Sequence, residues 1–257
     1  MTTAVQTQND VAIAALNGAV GGLTAEEISE ELDGATPRYS QVKIPSGGGI
    51  AFEVPGEDPE SPDIKKDITG IIVWHHGANA YWANKGDTTD AAPDCSSIDG
   101  KTGIRNADYA NAFDEGLSCS CATCPLNQFG SGEGGKGKAC KNMKRLYILT
   151  DESLFPYCLT LPPTSLGAFT DYVTMNLSRG RKVCDVITQI TLAKRENKTG
   201  QSYSVAVFKA LGELSEENRQ ASRNYRETIK AFVQRGQDVA QELGGATVDM
   251  ETGEIID

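Results

Sequence analysis

The spacing of apolar positions changes several times along this chain, and each change marks an element. "YSQVKI" and "IAFEV" alternate apolar and polar residues and read as strands joined by the turn "PSGGG". "ITGIIVWHH" (68–76) is a β-branched run suited to a central strand. Further strands are predicted at "KRLYIL" (144–149) and "YCLTL" (157–161), and "VITQITLAKR" (186–195) and "SYSVAVFKAL" (202–211) flank "ENKTGQ" as a hairpin. Helical spacing appears at Leu166, Phe169, Val173 and Leu177, with Gly180 placed as a C-terminal cap. It returns over about 215–243, where Tyr225, Ile229, Phe232 and Val239 share a face. In "LTAEEISEEL", Thr24 and Glu27 have capping-box spacing ahead of a short acidic helix.

This order predicts a mainly β fold with some α (α+β). The expected architecture is an OB-like small antiparallel barrel with a zinc-ribbon-like insertion and a C-terminal helix, a β-sandwich being the alternative. The expected parts are an acidic leader (1–38), a core (39–214) interrupted by an insertion (79–143), a helix (215–243) and an acidic tail (244–257). From Asn79 to Ala139 apolar periodicity disappears. An irregular stretch of that length inside a compact domain calls for something other than apolar burial to order it.

Composition adds limits. A chain of 257 residues is long enough to bury a core without disulfide staples. It has no apolar run of bilayer length, and no basic start leads into an apolar stretch. A cytoplasmic chain is the expectation, in which seven cysteines read as metal ligands and buried thiols rather than disulfides. The net charge of -11 is unevenly spread. Both ends are acidic, whereas Lys136, Lys138, Lys141, Lys144 and Arg145 form a block with no acid between Glu133 and Asp151. Such a block suits phosphate whatever the total charge.

The chemistry concentrates in the insertion. Cys95, Cys121, Cys124 and Cys140 follow C-x25-C-x2-C-x15-C, and a structural zinc ion takes four such soft ligands. Cys119 could replace Cys121, and His75 or His76 could replace Cys95. Cys158 and Cys184 lie in apolar surroundings and read as core residues. Gly130, Gly135 and Lys136 imitate a phosphate loop, but Gly137 stands where Ser or Thr belongs, and a strand rather than a helix follows. Tyr81, Trp82, Phe129 and Tyr147 lie among the bases as candidate stacking platforms, and Arg179, Arg181 and Lys182 form a second cationic bank. Two adjacent histidines, no GxSxG and no DxD leave no catalytic set, so an enzyme is not expected.

The segment "PDCSSIDGKTG…CATCPLNQFGSGEGGKGKACKNMKRLYIL" resembles the inserted ribbon of the bacteriophage single-stranded DNA-binding proteins, in particular the helix-destabilising type of the T-even phages. The resemblance covers roughly 40–212 and is one of architecture and motif. It implies an OB fold, a structural zinc ion, binding to single-stranded DNA without strong sequence preference, and an acidic tail that contacts replication proteins. In this chain that tail would be Glu242 to Asp257, which would also compete with DNA for the groove. The T-even pattern uses one histidine with three cysteines and a basic N-terminal arm; this chain offers four cysteines and an acidic N-terminus. The expected function is non-enzymatic binding of single-stranded DNA in phage replication, recombination or repair. The alternative is a zinc-containing module that docks a polymerase or host factor.

Overall fold

The computed structural model describes residues 25–33, 35, 37–56, 61–83, 93–106, 109–110, 116–151, 153, 155–242, 247–248 and 255–256. The first 24 residues of the acidic leader, Thr24 among them, and most of the acidic tail lie outside these. The fold is mixed α+β, mostly sheet, with a short acidic helix, α1 (Ala25–Glu31), and a long C-terminal helix. Contacts divide it into two units, the first formed by residues 1–75 and 145–232, the second by 76–144 and 233–257.

The first unit is built on the strands the periodicity predicts, together with one it does not predict, at Asp63–Lys65. They are β1 (Gln41–Val42), β2 (Phe52–Val54), β3 (Asp63–Lys65), the first part of β4 (Asp67–Tyr81), most of the apolar part of β8 (Lys141–Leu149), β9 (Tyr157–Leu161), β10 (Val186–Glu196) and β11 (Ser202–Glu213). The strand neighbours run β1-β9-β8-β4-β10-β11. β1 pairs with β9 in parallel, and β10 pairs antiparallel with both β4 and β11. Among the described residues these pairings do not close into a barrel. The β10–β11 turn is set locally, because the Asn197 side-chain oxygen accepts from the backbone N–H of Thr199 (3.0 Å) and Gln201 (2.9 Å).

Two helices cover this sheet's apolar side chains. In α2 (Leu166–Ser178) the buried face is Phe169, Tyr172 and Asn176. Leu177, expected on that face, is 59% exposed. Asn176 takes the inward position because its side chain closes the helix end. It donates to Tyr172 O (2.9 Å) and accepts from Arg181 Nε (2.8 Å), while the Arg181 N–H bonds Asn176 O across Gly180, whose φ is +73°. Phe169 sits edge-on to Phe208 at 5.2 Å, and the Tyr172 hydroxyl reaches Thr188 Oγ1 at 2.8 Å. α3 (Glu216–Glu242) buries Tyr225, Ile229 and Phe232 as its spacing predicts; the side chain of Val239 lies outside the described residues. A half-buried ion pair holds α3: Arg223 donates through Nε and Nη2 to the two oxygens of the buried Asp185, 2.8 Å each. Lys182 N adds a third bond to Asp185 at 2.7 Å. Burial alone would raise the Asp185 carboxyl, but the Arg223 and Lys182 hydrogen bonds outweigh it and hold it below the usual carboxylate range. Cys158 and Cys184 are buried in this unit.

The second unit has little apolar material. One described apolar cluster in it is Ala78 and Ala80, with Trp82 and Met143 packed against them, and Ala110, Cys121 and Val233 are also buried. The insertion, where apolar periodicity gives out, contains a three-stranded meander: β5 (Cys95–Ser97), β6 (Thr102–Arg105) and β7 (Ser118–Ser120), with β5 paired to the end of β4. The turn from β5 to β6 is held by Asp99, whose Oδ1 accepts from Ser97 Oγ (2.9 Å) and from the N–H of Lys101 (2.7 Å) and Thr102 (2.8 Å).

Candidate metal centre and nucleic-acid interface

The second unit brings five thiols to one cavity of about 190 Å³: Cys95, Cys119, Cys121, Cys124 and Cys140. β-strand alternation explains the first three. Cys95 is opposite Arg105, Gly103 is opposite Cys119, and residues two apart on a strand share a face. Cys95, Gly103, Cys119 and Cys121 therefore lie on the same side of the meander. Gly103 leaves the room they use. A β-carbon there would stand 2.8 Å from Cys119 Sγ, 3.0 Å from Cys95 Sγ and 3.6 Å from Cys121 Sγ.

Cys124 and Cys140 arrive on a tight knuckle. Asn127 N bonds Cys124 O (3.0 Å), and Cys140 N bonds Leu126 O (2.9 Å). Gln128 Nε2 donates to Ala122 O (3.0 Å) and Cys124 O (3.2 Å). Three buried or half-buried amides tie the knuckle to β4 and β8. Asn142 Nδ2 donates to Asn79 Oδ1 (2.7 Å) and Asn127 Oδ1 (2.8 Å), and Asn127 Nδ2 donates to Cys121 O (2.7 Å). Asn79, Asn127 and Asn142 carry no sequence signal that marks them, since an isolated asparagine most often belongs to a turn.

The donor set fits a soft, thiophilic cation. No carboxylate lines the cavity among the described residues, though Arg105 and the phenols of Tyr81 and Tyr109 do. Burial pushes the Cys140 thiol up to about 12, with the nearby Cys121 and Cys124 adding to the shift. Burial also raises Cys95 strongly and Cys119 less, the Arg105 guanidinium partly offsetting the latter. Thiols in this state stay protonated at neutral pH unless a cation replaces the protons. Among the described residues, no group of three or more His, Cys, Asp or Glu is placed so that it could hold a metal ion. His75 packs edge-on against Phe169 at 5.1 Å, and His76 Nδ1 lies 2.8 Å from Gly77 O. Neither histidine lines the cavity.

The proposed nucleic-acid contacts divide. Phe129, 85% exposed, stands beyond the knuckle on a loop whose neck is closed by Gly130 N to Gly137 O (2.6 Å) and by Ser131 Oγ, which donates to Leu126 O and Gln128 O and accepts from Ala139 N. Lys136, Lys138 and Lys141 are exposed on the same segment. Lys138 Nζ bonds Asn142 Oδ1 at 2.8 Å, and Lys141 Nζ lies 4.7 Å from the Trp82 ring centroid. Tyr81 is edge-on to Tyr109 at 6.0 Å. Lys144 is half-buried, and burial lowers the pKa of its ammonium.

Arg145 and Tyr147 are in the core, 7% and 3% exposed, on a strand with neighbours on both sides; as placed, neither reaches a ligand at the surface. Tyr147 packs edge-on against Tyr39 at 4.9 Å. Arg179, Arg181 and Lys182 belong to the first unit, and Lys136, Lys138, Lys141 and Lys144 to the second. Arg179 and Lys182 are exposed there, whereas Arg181 is committed to Asn176 and to an ion pair with Glu213. No helix among the described residues is long and apolar enough to cross a membrane. No family model, curated protein or solved structure gives a significant match to the chain.

Proposed function

We propose that this protein is a non-enzymatic, sequence-nonspecific binder of single-stranded DNA that acts in phage replication, recombination or repair. One observation carries the reading: a highly exposed phenylalanine, Phe129, shares a tethered loop with the exposed Lys136 and Lys138. An aromatic face for a base beside cations for the phosphates is the pairing that single-strand binders use. Lys141 and Trp82 extend the same surface. A structural zinc ion held by Cys95, Cys121, Cys124 and Cys140 fixes the loop's base in this reading, and a reducing cytoplasm keeps those thiols available. The first unit's sheet is the OB-like part, and the tail from Glu242 to Asp257 competes for the cationic loop or contacts replication proteins.

Titration of a labelled oligo-dT against matched duplex, at several salt concentrations, tests it. The expected result is a preference for the single strand that weakens steeply with salt. Absence of binding even at low salt overturns it. Phe129 would then be better understood as an anchor for a pocket on a polymerase or host factor.

A further inference from the structure

Five thiols meet where a tetrahedral ion has four positions. We propose that Cys95 and Cys119 share one of those positions, either serving as the fourth thiolate while Cys121, Cys124 and Cys140 supply the other three. The inference rests on the zinc reading above and concerns which of this chain's residues hold the ion.

Three observations support it. The first is the shared seat. Cys95 Sγ and Cys119 Sγ lie almost equally far from the empty β-carbon position of Gly103, at 3.0 and 2.8 Å. The second is that they reach this seat from opposite sides, Cys95 from β5 and Cys119 from β7, with β6 between them. Strands two places apart are about 9–10 Å from each other, whereas a disulfide needs α-carbons within about 7 Å. The pair is thus brought together without being able to bond, an arrangement suited to presenting sulfur to an ion. The third is that Cys121, also near the Gly103 seat, is the only cluster thiol classed as buried. It has the central position that a fixed ligand occupies.

Exchange needs no oxidant. With zinc bound, one Zn–S bond would form as the other broke, the proton of the incoming thiol would pass to the departing thiolate, and the site would keep four sulfurs and the same charge.

Zinc content by mass spectrometry, and the absorption of the cobalt(II)-substituted protein, distinguish the possibilities in full-length Cys95→Ser, Cys119→Ser and double variants. Each single variant is expected to retain one zinc per chain and a four-sulfur cobalt spectrum, while the double variant binds at least about 100-fold more weakly. Loss of metal from one single variant alone would assign that cysteine as a fixed ligand and overturn the proposal, as would a double variant that binds normally. Should a variant fold poorly, alkylation mapping of the wild-type zinc protein answers the same question. Partial labelling at both Cys95 and Cys119, together amounting to about one thiol, is expected; full labelling of one with complete protection of the other contradicts sharing. A wild-type protein purified without metal and unable to bind zinc would remove the metal reading itself, an outcome distinct from failure of the exchange.

Discussion

The two units reach order by different physical routes. The first buries Phe52, Ile72, Leu146, Ile148, Leu159, Leu161 and Phe169 in one apolar cluster, each 1% exposed or less. The second has a few small buried residues, Ala78 and Ala80 among them, and assembles instead around five thiols, an asparagine network and the Asp99 turn. At roughly 25 cal/mol per Å² of apolar surface, a few small buried residues contribute little towards ordering more than forty described residues. Hydrophobic burial explains the first unit. In our account, sulfur–metal bonding supplies what the second lacks.

The largest effect is expected from removing a knuckle ligand. Cys140→Ser should leave the first unit folded and make the segment 95–140 sensitive to brief proteolysis, because a metal site of this kind can contribute on the order of 10 kcal/mol to local folding. A digestion pattern unchanged from wild type would show that the meander holds without the metal. Phe169→Ala attacks the other route. It should cost about 3–5 kcal/mol in the denaturant transition of the first unit, with zinc content unaffected. Loss of zinc together with stability would mean that the two routes are not separable.

The Asp185–Arg223 pair gives a smaller and pH-dependent effect. Asp185 is lowered in the folded protein, so the stability it adds is complete above its unfolded value and is lost as pH falls through its folded value. Asp185→Asn should cost about 2 kcal/mol at pH 7, less than a fully enclosed pair because Arg223 is partly exposed, and should flatten the acid limb of the stability curve below about pH 4. An acid limb identical to wild type would assign the acid sensitivity to other carboxylates. The smallest change in stability, yet a direct one in binding, is expected of Phe129→Ala. It should weaken oligo-dT binding by about 1–3 kcal/mol and leave the unfolding midpoint unchanged. Unaltered affinity would remove Phe129 from the interface.

The same division decides what could be read from sequence. β4, β9, the β10–β11 hairpin, α2 and α3 were legible because apolar burial imposes a period of two or of 3.6. β5, β6 and β7 were not, since "CSS", "TGIR" and "SCS" present no apolar alternation to a core they do not have. The CxxC spacing favours Cys121 over Cys119, although residues two apart at the end of a strand point the same way and both join the cluster. The role of Gly103 depends on cross-strand neighbours that only the fold supplies. Arg145 and Tyr147 misled for a related reason. Their residue types suggest phosphate and base contacts, but their strand lies between β4 and β9, and both are buried.

Hydrogen exchange of the zinc protein before and after stripping by a strong chelator tests the central claim most directly. The account predicts that amides of β5, β6, β7 and the 124–140 knuckle lose protection when the metal is removed, while those of β10 and β11 keep theirs. Equal protection of the meander with and without metal, or a simultaneous loss in β10 and β11, would contradict it.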